Sequence, residues 1–185
     1  MDLEGFPDQS WARSRFHAGR FAAESSDFVR GVRNALSRVW LMDPYMMRDK
    51  EADGQFTTVP IGPGLERAFG KTGASDVRII RGGGLDSTHP DAERMRHDLA
   101  AYHRRRGRDF RFRMRCLPQR AKQGARAVLP HDRFAIVDAE LWHWGANVGG
   151  THNQVNAYSR GWCAVRTRAI SFYEELWSAG EVVFA

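Results

Sequence analysis

The sequence predicts an α/β sandwich, with helices packed on both sides of a mixed β-sheet. Two observations predict it. Segments with apolar residues at helical spacing alternate along the chain with short apolar or strictly alternating runs of strand length. Two of the strand pairs also sit close enough in sequence to be hairpins, which breaks an all-parallel order. A chain of 185 residues, 42% hydrophobic and 27% charged, supplies one domain with a real core.

The elements follow in order. Residues 1–22 contain Gly5, Pro7 and Gly19 and are expected to be an arm or a short leading helix, with the domain proper spanning 23–185. Phe28, Val32, Leu36 and Val39 recur at helical spacing, with Ser25 or Ser26 placed to cap the start. Val39-Trp40-Leu41-Met42 is a strand stopped by Asp43-Pro44. Residues 48–76 hold at most a short helix near Leu65–Phe69. Val77–Ile80 is a second strand, and Arg81-Gly82-Gly83-Gly84 is the turn after it. Thr88 and Asp91 have capping-box spacing before a helix that faces inward through Ala92, Met95, Leu99 and Tyr102 and ends at Gly107. Asp109–Arg115 alternates strictly, which predicts a strand with one apolar and one cationic face. Further strands are expected at Arg126–Leu129, Phe134–Val137, Leu141–Trp144 and Trp162–Val165. Ile170, Tyr173 and Leu176/Trp177 mark a closing helix before Gly180.

Composition excludes several classes. No apolar run approaches the ~18 residues of a membrane span. The acidic start Met1-Asp2-Leu3-Glu4 lacks the apolar stretch of a secretory signal, so a cytoplasmic location is expected. Two distant cysteines, Cys116 and Cys163, rule out a disulfide framework or a four-cysteine zinc site. The net charge of +6 is unevenly spread: residues 104–126 carry ten Lys/Arg against one Asp/Glu, while 1–103 carry 14 against 15 and 127–185 carry 4 against 6. Such a stripe suits a polyanion partner, because neutralising phosphates releases condensed counterions. Arg104, Arg105, Arg106, Arg108, Arg111, Arg113 and Arg115 are therefore expected to grip a phosphate backbone of DNA or RNA. Arg111, Arg113 and Arg115 could equally be the polar face of a solvated sheet.

Gly70-Lys71-Thr72 resembles the end of a P-loop, but Gly64 leaves five intervening residues where four are needed. His89, His97 and His103 lack the spacing of two ligands on one helix face and are expected at the surface, so no metal is predicted. No Gly-x-Ser-x-Gly elbow is present.

The informative stretch is Leu129-Pro130-His131-Asp132-Arg133-Phe134-Ala135-Ile136-Val137-Asp138, continuing to Gly145-Ala146-Asn147. Strand alternation directs His131 and Arg133 to one side. There the guanidinium can hold the nonbridging oxygens of a phosphate while the imidazole attacks phosphorus or moves a proton. Asp138 closes the strand, and the Gly145-Ala146-Asn147 turn can return an amide to the same rim. On these residues the sequence resembles the phospholipase D superfamily, whose His-x-Lys-x4-Asp motif is followed six residues later by a Gly-Ser/Gly-x-Asn element. His131-x-Arg133-x4-Asp138 and Gly145-Ala146-Asn147 are the matching positions, and Asp43-Pro44-Tyr45 after an early strand fits the surroundings.

The resemblance implies a phospholipase D-like α-β-α sandwich in a single domain. It also implies a two-step phosphodiester reaction with no cofactor and no metal, in which one histidine forms a phosphohistidine and a second protonates the leaving oxygen. With one motif per chain, the functional form implied is a homodimer. His131, Arg133, Asp138 and Asn147 are the implied catalytic residues. The chain departs from the family pattern: Arg133 replaces lysine, the asparagine comes one residue early, Ala146 removes a hydroxyl, and residues 141–173 contain no carboxylate to orient the histidine. Asp132 and Glu174 are the available substitutes. The departures predict phosphodiester binding with weak or no turnover. An active metal-independent nuclease is the alternative, and a binder of anionic phospholipid headgroups ranks third. Trp142 and His143 could edge the groove, although a packed hairpin is the stronger expectation for Trp142.

Overall fold

In the computed structural model, the described residues are 13–17, 26–47, 61–83, 85, 88–117, 132–145, 147–148 and 156–185. Their elements run β1 (Arg13–His17), α1 (Ser26–Asn34), β2 (Arg38–Met42), α2 (Pro63–Lys71), β3 (Asp76–Gly82), α3 (Asp91–Arg104), β4 (Arg111–Leu117), β5 (Arg133–Val137), β6 (Glu140–Trp144), β7 (Asn156–Cys163), α4 (Ala169–Ala179) and β8 (Glu181–Phe184). The strands form one mixed sheet in the order β1-β7-β6-β5-β2-β3-β4-β8. β2, β3 and β4 are parallel, and β5 lies antiparallel to β2 with Met42 opposite Phe134. The carboxyl ends of the parallel strands and the start of β5 therefore share one pole of the sheet.

Alternation divides the side chains into two cores. Val39, Leu41, Val77, Ile79, Phe112, Met114, Ala135 and Val137 pack with Phe28 and Val32 of α1, Leu65 and Phe69 of α2, and Met95 and Leu99 of α3. Trp40, Met42, Ile80, Phe134 and Ile136 pack on the other face against Tyr173 and Trp177 of α4. The result is the predicted α-β-α sandwich. On the first face Trp142 and Trp144 stack with Tyr158, with ring centroids 5.9 and 6.1 Å away, and Phe28 meets both indoles edge-on. Trp142 is thus packed in the core and offers no face for base stacking, whereas His143, on the opposite side of β6, is exposed.

Several expectations need correction. Residues Arg13–His17 form an edge strand antiparallel to β7, where the arm or short helix was expected, and β7 and β8 extend the sheet beyond the predicted strands. The first helix stops at Asn34, which leaves Leu36 80% exposed instead of on the inward face. Thr88 does not cap α3. Its hydroxyl donates to the Leu85 carbonyl, and Pro90 precedes the first turn. His103 is buried, not superficial: its ring stacks on Phe110 at 3.9 Å, and Nε2 lies 2.8 Å from the Phe69 carbonyl. It takes the inward place expected of Tyr102 because, four residues after Leu99, it continues the stripe of Ala92, Met95 and Leu99. The strand expected at 126–129 lies outside the described residues.

Burial, reinforced by Arg108 and Arg106 against the Phe69 carbonyl bond, holds the His103 imidazole below its ordinary range. A depressed base makes the folded state bind fewer protons, so stability is complete above the ordinary histidine pKa and declines as pH falls below it. The thermal midpoint should drop on going from neutral pH to about pH 5. His103→Phe, which keeps the ring stack, should lose that part of the pH dependence.

Asp138 closes the β5–β6 hairpin with a φ of 54°, a conformation aspartate tolerates better than most residues. Its carboxylate accepts the N–H groups of Leu36 (3.0 Å), Ser37 (2.8 Å) and Arg38 (3.2 Å) and the Ser37 hydroxyl (2.8 Å). Burial raises its pKa, but these donors together outweigh burial and hold the carboxyl below the usual range. Asp138→Ala should cost about 2–3 kcal/mol in urea unfolding, because several donors lose a charged acceptor. Asp138→Asn should cost less. The Asp138 contribution is present above the ordinary carboxyl range and is lost as pH falls through the depressed value.

Candidate functional site at the carboxyl pole

β2 is the strand at which the strand order reverses, with β3 and β4 following on one side of it and β5 on the other. In open α/β sheets the crevice beyond the carboxyl end of such a switch strand is where ligands bind. Asp43 follows β2 directly and is buried with 1% exposure. Its Oδ1 accepts the Tyr45 N–H at 2.9 Å, and its Oδ2 accepts the Val148 N–H at 2.8 Å. Arg133 opens β5 beside it, with Nε 4.0 Å from Asp43 Oδ1. The Arg133 Nη1 donates to the Gly145 carbonyl at 3.2 Å, and its guanidinium lies 4.9 Å from the Tyr45 ring centroid. Arg133 Nε has no hydrogen-bond partner among the described residues.

This arrangement fixes a cation at the rim. A carbonyl, an aromatic face and a buried carboxylate each restrict the guanidinium, so little side-chain freedom remains to be lost when an anion arrives. Burial pushes the Asp43 carboxyl up, against the Tyr45 and Val148 N–H groups, Arg133 and the Met46 N–H. Asn147 is buried next to Val148, so the Asp43–Val148 bond also holds the asparagine's turn at this pole.

The sequence-predicted residues divide. Arg133 and the Gly145–Asn147 turn come together, while His131 and Ala146 lie outside the described residues. Asp138 sits at the opposite end of β5, on the turn before β2. Asp132 is exposed, 3.7 Å from His143 Nε2. Glu174 pairs with Arg78 at 2.9 Å under α4, away from Arg133. Arg113 pairs with Asp76 at 2.5 Å, and Arg115 donates to the Trp177 carbonyl at 2.6 Å, so both serve the sheet–α4 layer. Arg104, Arg105, Arg106, Arg108 and Arg111 gather at the amino ends of the parallel strands, since Arg111 starts β4 and pairs in register with Asp76. The seven residues of β4 span about 20 Å. Within one protomer, Arg104–Arg111 therefore lie at the opposite pole of the sheet from Arg133.

Asp43 is the residue the motif reading missed. Its signal was an aspartate immediately after an apolar strand and before a proline, a position that points a carboxylate along the strand axis.

Neither a family model nor a curated protein sequence matches this chain. Solved structures do resemble it, and the fold they share is that of phospholipase D-like proteins. Nuc from Salmonella typhimurium, described as a phospholipase D family member, aligns over 92% of this chain and 97% of its own, with a TM-score of 0.55 at 13% identity. NucT from Helicobacter pylori aligns over 92% and 99%, with a TM-score of 0.52 at 13% identity. The phosphatidylserine synthase of Haemophilus influenzae gives 0.52 at 14% identity over 92% of this chain, which spans only 38% of that protein.

Asp43→Ala should destabilise the fold by about 3 kcal/mol, because it strips the Tyr45 and Val148 N–H groups of their acceptor and Arg133 of the carboxylate beside it. Asp43→Asn should cost less, since an amide oxygen can still take one of the N–H groups. Urea titration of both variants checks the order; an alanine variant as stable as the native chain would refute the role.

Proposed function

We propose that this chain is a phospholipase D-like protein whose carboxyl pole binds phosphodiesters, with nucleic acid as the ligand, and turns them over weakly or not at all. The observation that carries the reading is Arg133: a guanidinium fixed at the switch-strand pole, two residues after His131, on this fold. A planar fork held in place can bind two phosphate oxygens at once. Asn147 on the neighbouring turn adds an amide at the same pole. The active form is a homodimer in which His131 and Arg133 of each protomer contribute to a shared cleft. Asp138 serves this site at a distance, by tying the far end of β5 to the turn before β2.

The second reading is an active phosphodiesterase, favoured by a histidine, His131, two residues before Arg133 in the sequence. There the imidazole attacks phosphorus, the P–O bond to the leaving group breaks, and the second protomer's histidine supplies the proton; water then releases the phosphohistidine. Residues 141–173 supply no carboxylate to orient the imidazole, and the acid–base assistance this weakens is typically worth ~10²–10⁴ in rate.

Labelled single- and double-stranded DNA and RNA, incubated with the chain in chelator, separate the readings. Binding without cleavage, weakened in Arg133→Gln, is expected. Cleavage that disappears in His131→Ala establishes the enzyme. Light scattering should give twice the chain mass, and a monomer that still binds through Arg133 refutes the shared cleft.

A further inference from the structure

We infer that the end of α3 and the start of β4 form a second nucleic-acid surface at the opposite pole of the sheet from Arg133, a strand's length of about 20 Å away along β4 and three strands across. Arg104, Arg105 and Arg111 carry it. All three are exposed, and among the described residues their guanidinium groups have no hydrogen-bond or ion-pair partner. The contrast within one helix is informative. At its beginning, Arg94 pairs with Asp91 at 2.7 Å and Arg96 with Glu93 at 2.5 Å. At its end, cations accumulate and the only acidic residue among 104–111 is the exposed Asp109.

Helix capping accounts for Arg106, whose Nη1 donates to the Tyr102 carbonyl at 3.4 Å, but not for Arg104, Arg105 or Arg111. The carbonyls of Ala101, His103 and Arg104 already accept the N–H groups of Arg105, Arg106, Gly107 and Arg108. The surface is also rigid. Gly107 takes a φ of 64° to turn the chain, and the His103–Phe110 stack clamps both sides of that turn. Arg108 donates to the Thr72 carbonyl at 3.1 Å, which brings exposed Lys71 to the same side. Arg106 lies over the Tyr102 ring at 3.7 Å.

The chemistry selects the partner. A protein partner needs an apolar centre to bury, and stable membrane attachment needs apolar groups to insert. The one large apolar residue in 104–111, Phe110, is half-buried against His103. A phosphate backbone needs only cations held in place, and arginine forks match its oxygens. The surface does not depend on what the Arg133 cleft binds.

The test compares two variants of equal charge: Arg104→Gln/Arg105→Gln, and Arg30→Gln/Arg94→Gln, whose arginines are paired with Asp27 and Asp91. Anisotropy of a labelled duplex is followed over a salt series, with phosphatidylserine vesicles as a parallel probe. The first variant should keep the native thermal midpoint, bind the duplex about tenfold or more weakly, and lose about 2 from the slope of log K against log salt. Arg111→Gln should lose about 1. Arg133→Gln should lose about 1 from the slope on its own account, and the further loss of about 2 from the first variant should persist in the Arg133→Gln background, so failure of the cleft and failure of this surface read out separately. Native duplex affinity in the first variant overturns the inference. So does an equal loss in the charge-matched control, or a loss confined to vesicles.

Discussion

A buried carboxylate joins the parts of this molecule that no single element holds. Asp43 receives the Tyr45 N–H from its own segment and the Val148 N–H from the loop after β6, and it faces Arg133 at the start of β5. An ionised carboxyl in an apolar interior is costly unless it is hydrogen-bonded and paired. Asp43 is therefore stable only when all three segments are in place. The same constraint that closes the pole also aims the cation.

Asp138 does comparable work at the other end. Its carboxylate gathers three successive N–H groups just after α1, so β2 and the β5–β6 hairpin enter the sheet in one register. A one-residue slip of β5 would carry Arg133 to the α4 face and Phe134 to the α1 face. Two aspartates at opposite poles thus restrain one strand, although one follows β2 and the other follows β5.

The arginines show how one residue type serves three purposes. Arg78, Arg113 and Arg115 lie over the Trp177 ring between sheet and helix, with Asp76 and Glu174 balancing part of their charge. Arg133 is held singly beside Asp43. Arg104, Arg105 and Arg111 face solvent. A net charge counted along the sequence merges these groups, because their separation depends on which carboxylates the fold brings near.

The sequence by itself determined the central strands, the places of the four helices and the two-sided core, because alternation and helical spacing are local properties of the chain. It also marked Arg133 and the Gly145–Asn147 turn. It did not disclose β1, whose pairing is supplied by β7 from the far end of the chain, or the burial of His103, which depends on where α2 meets α3. Asp43 looked like a strand terminator until β5 and the Val148 loop were placed beside it. The separation of the basic segment from Arg133 was likewise a tertiary decision: parallel strands start at one pole and finish at the other, so residues close in sequence can stand a sheet's length apart.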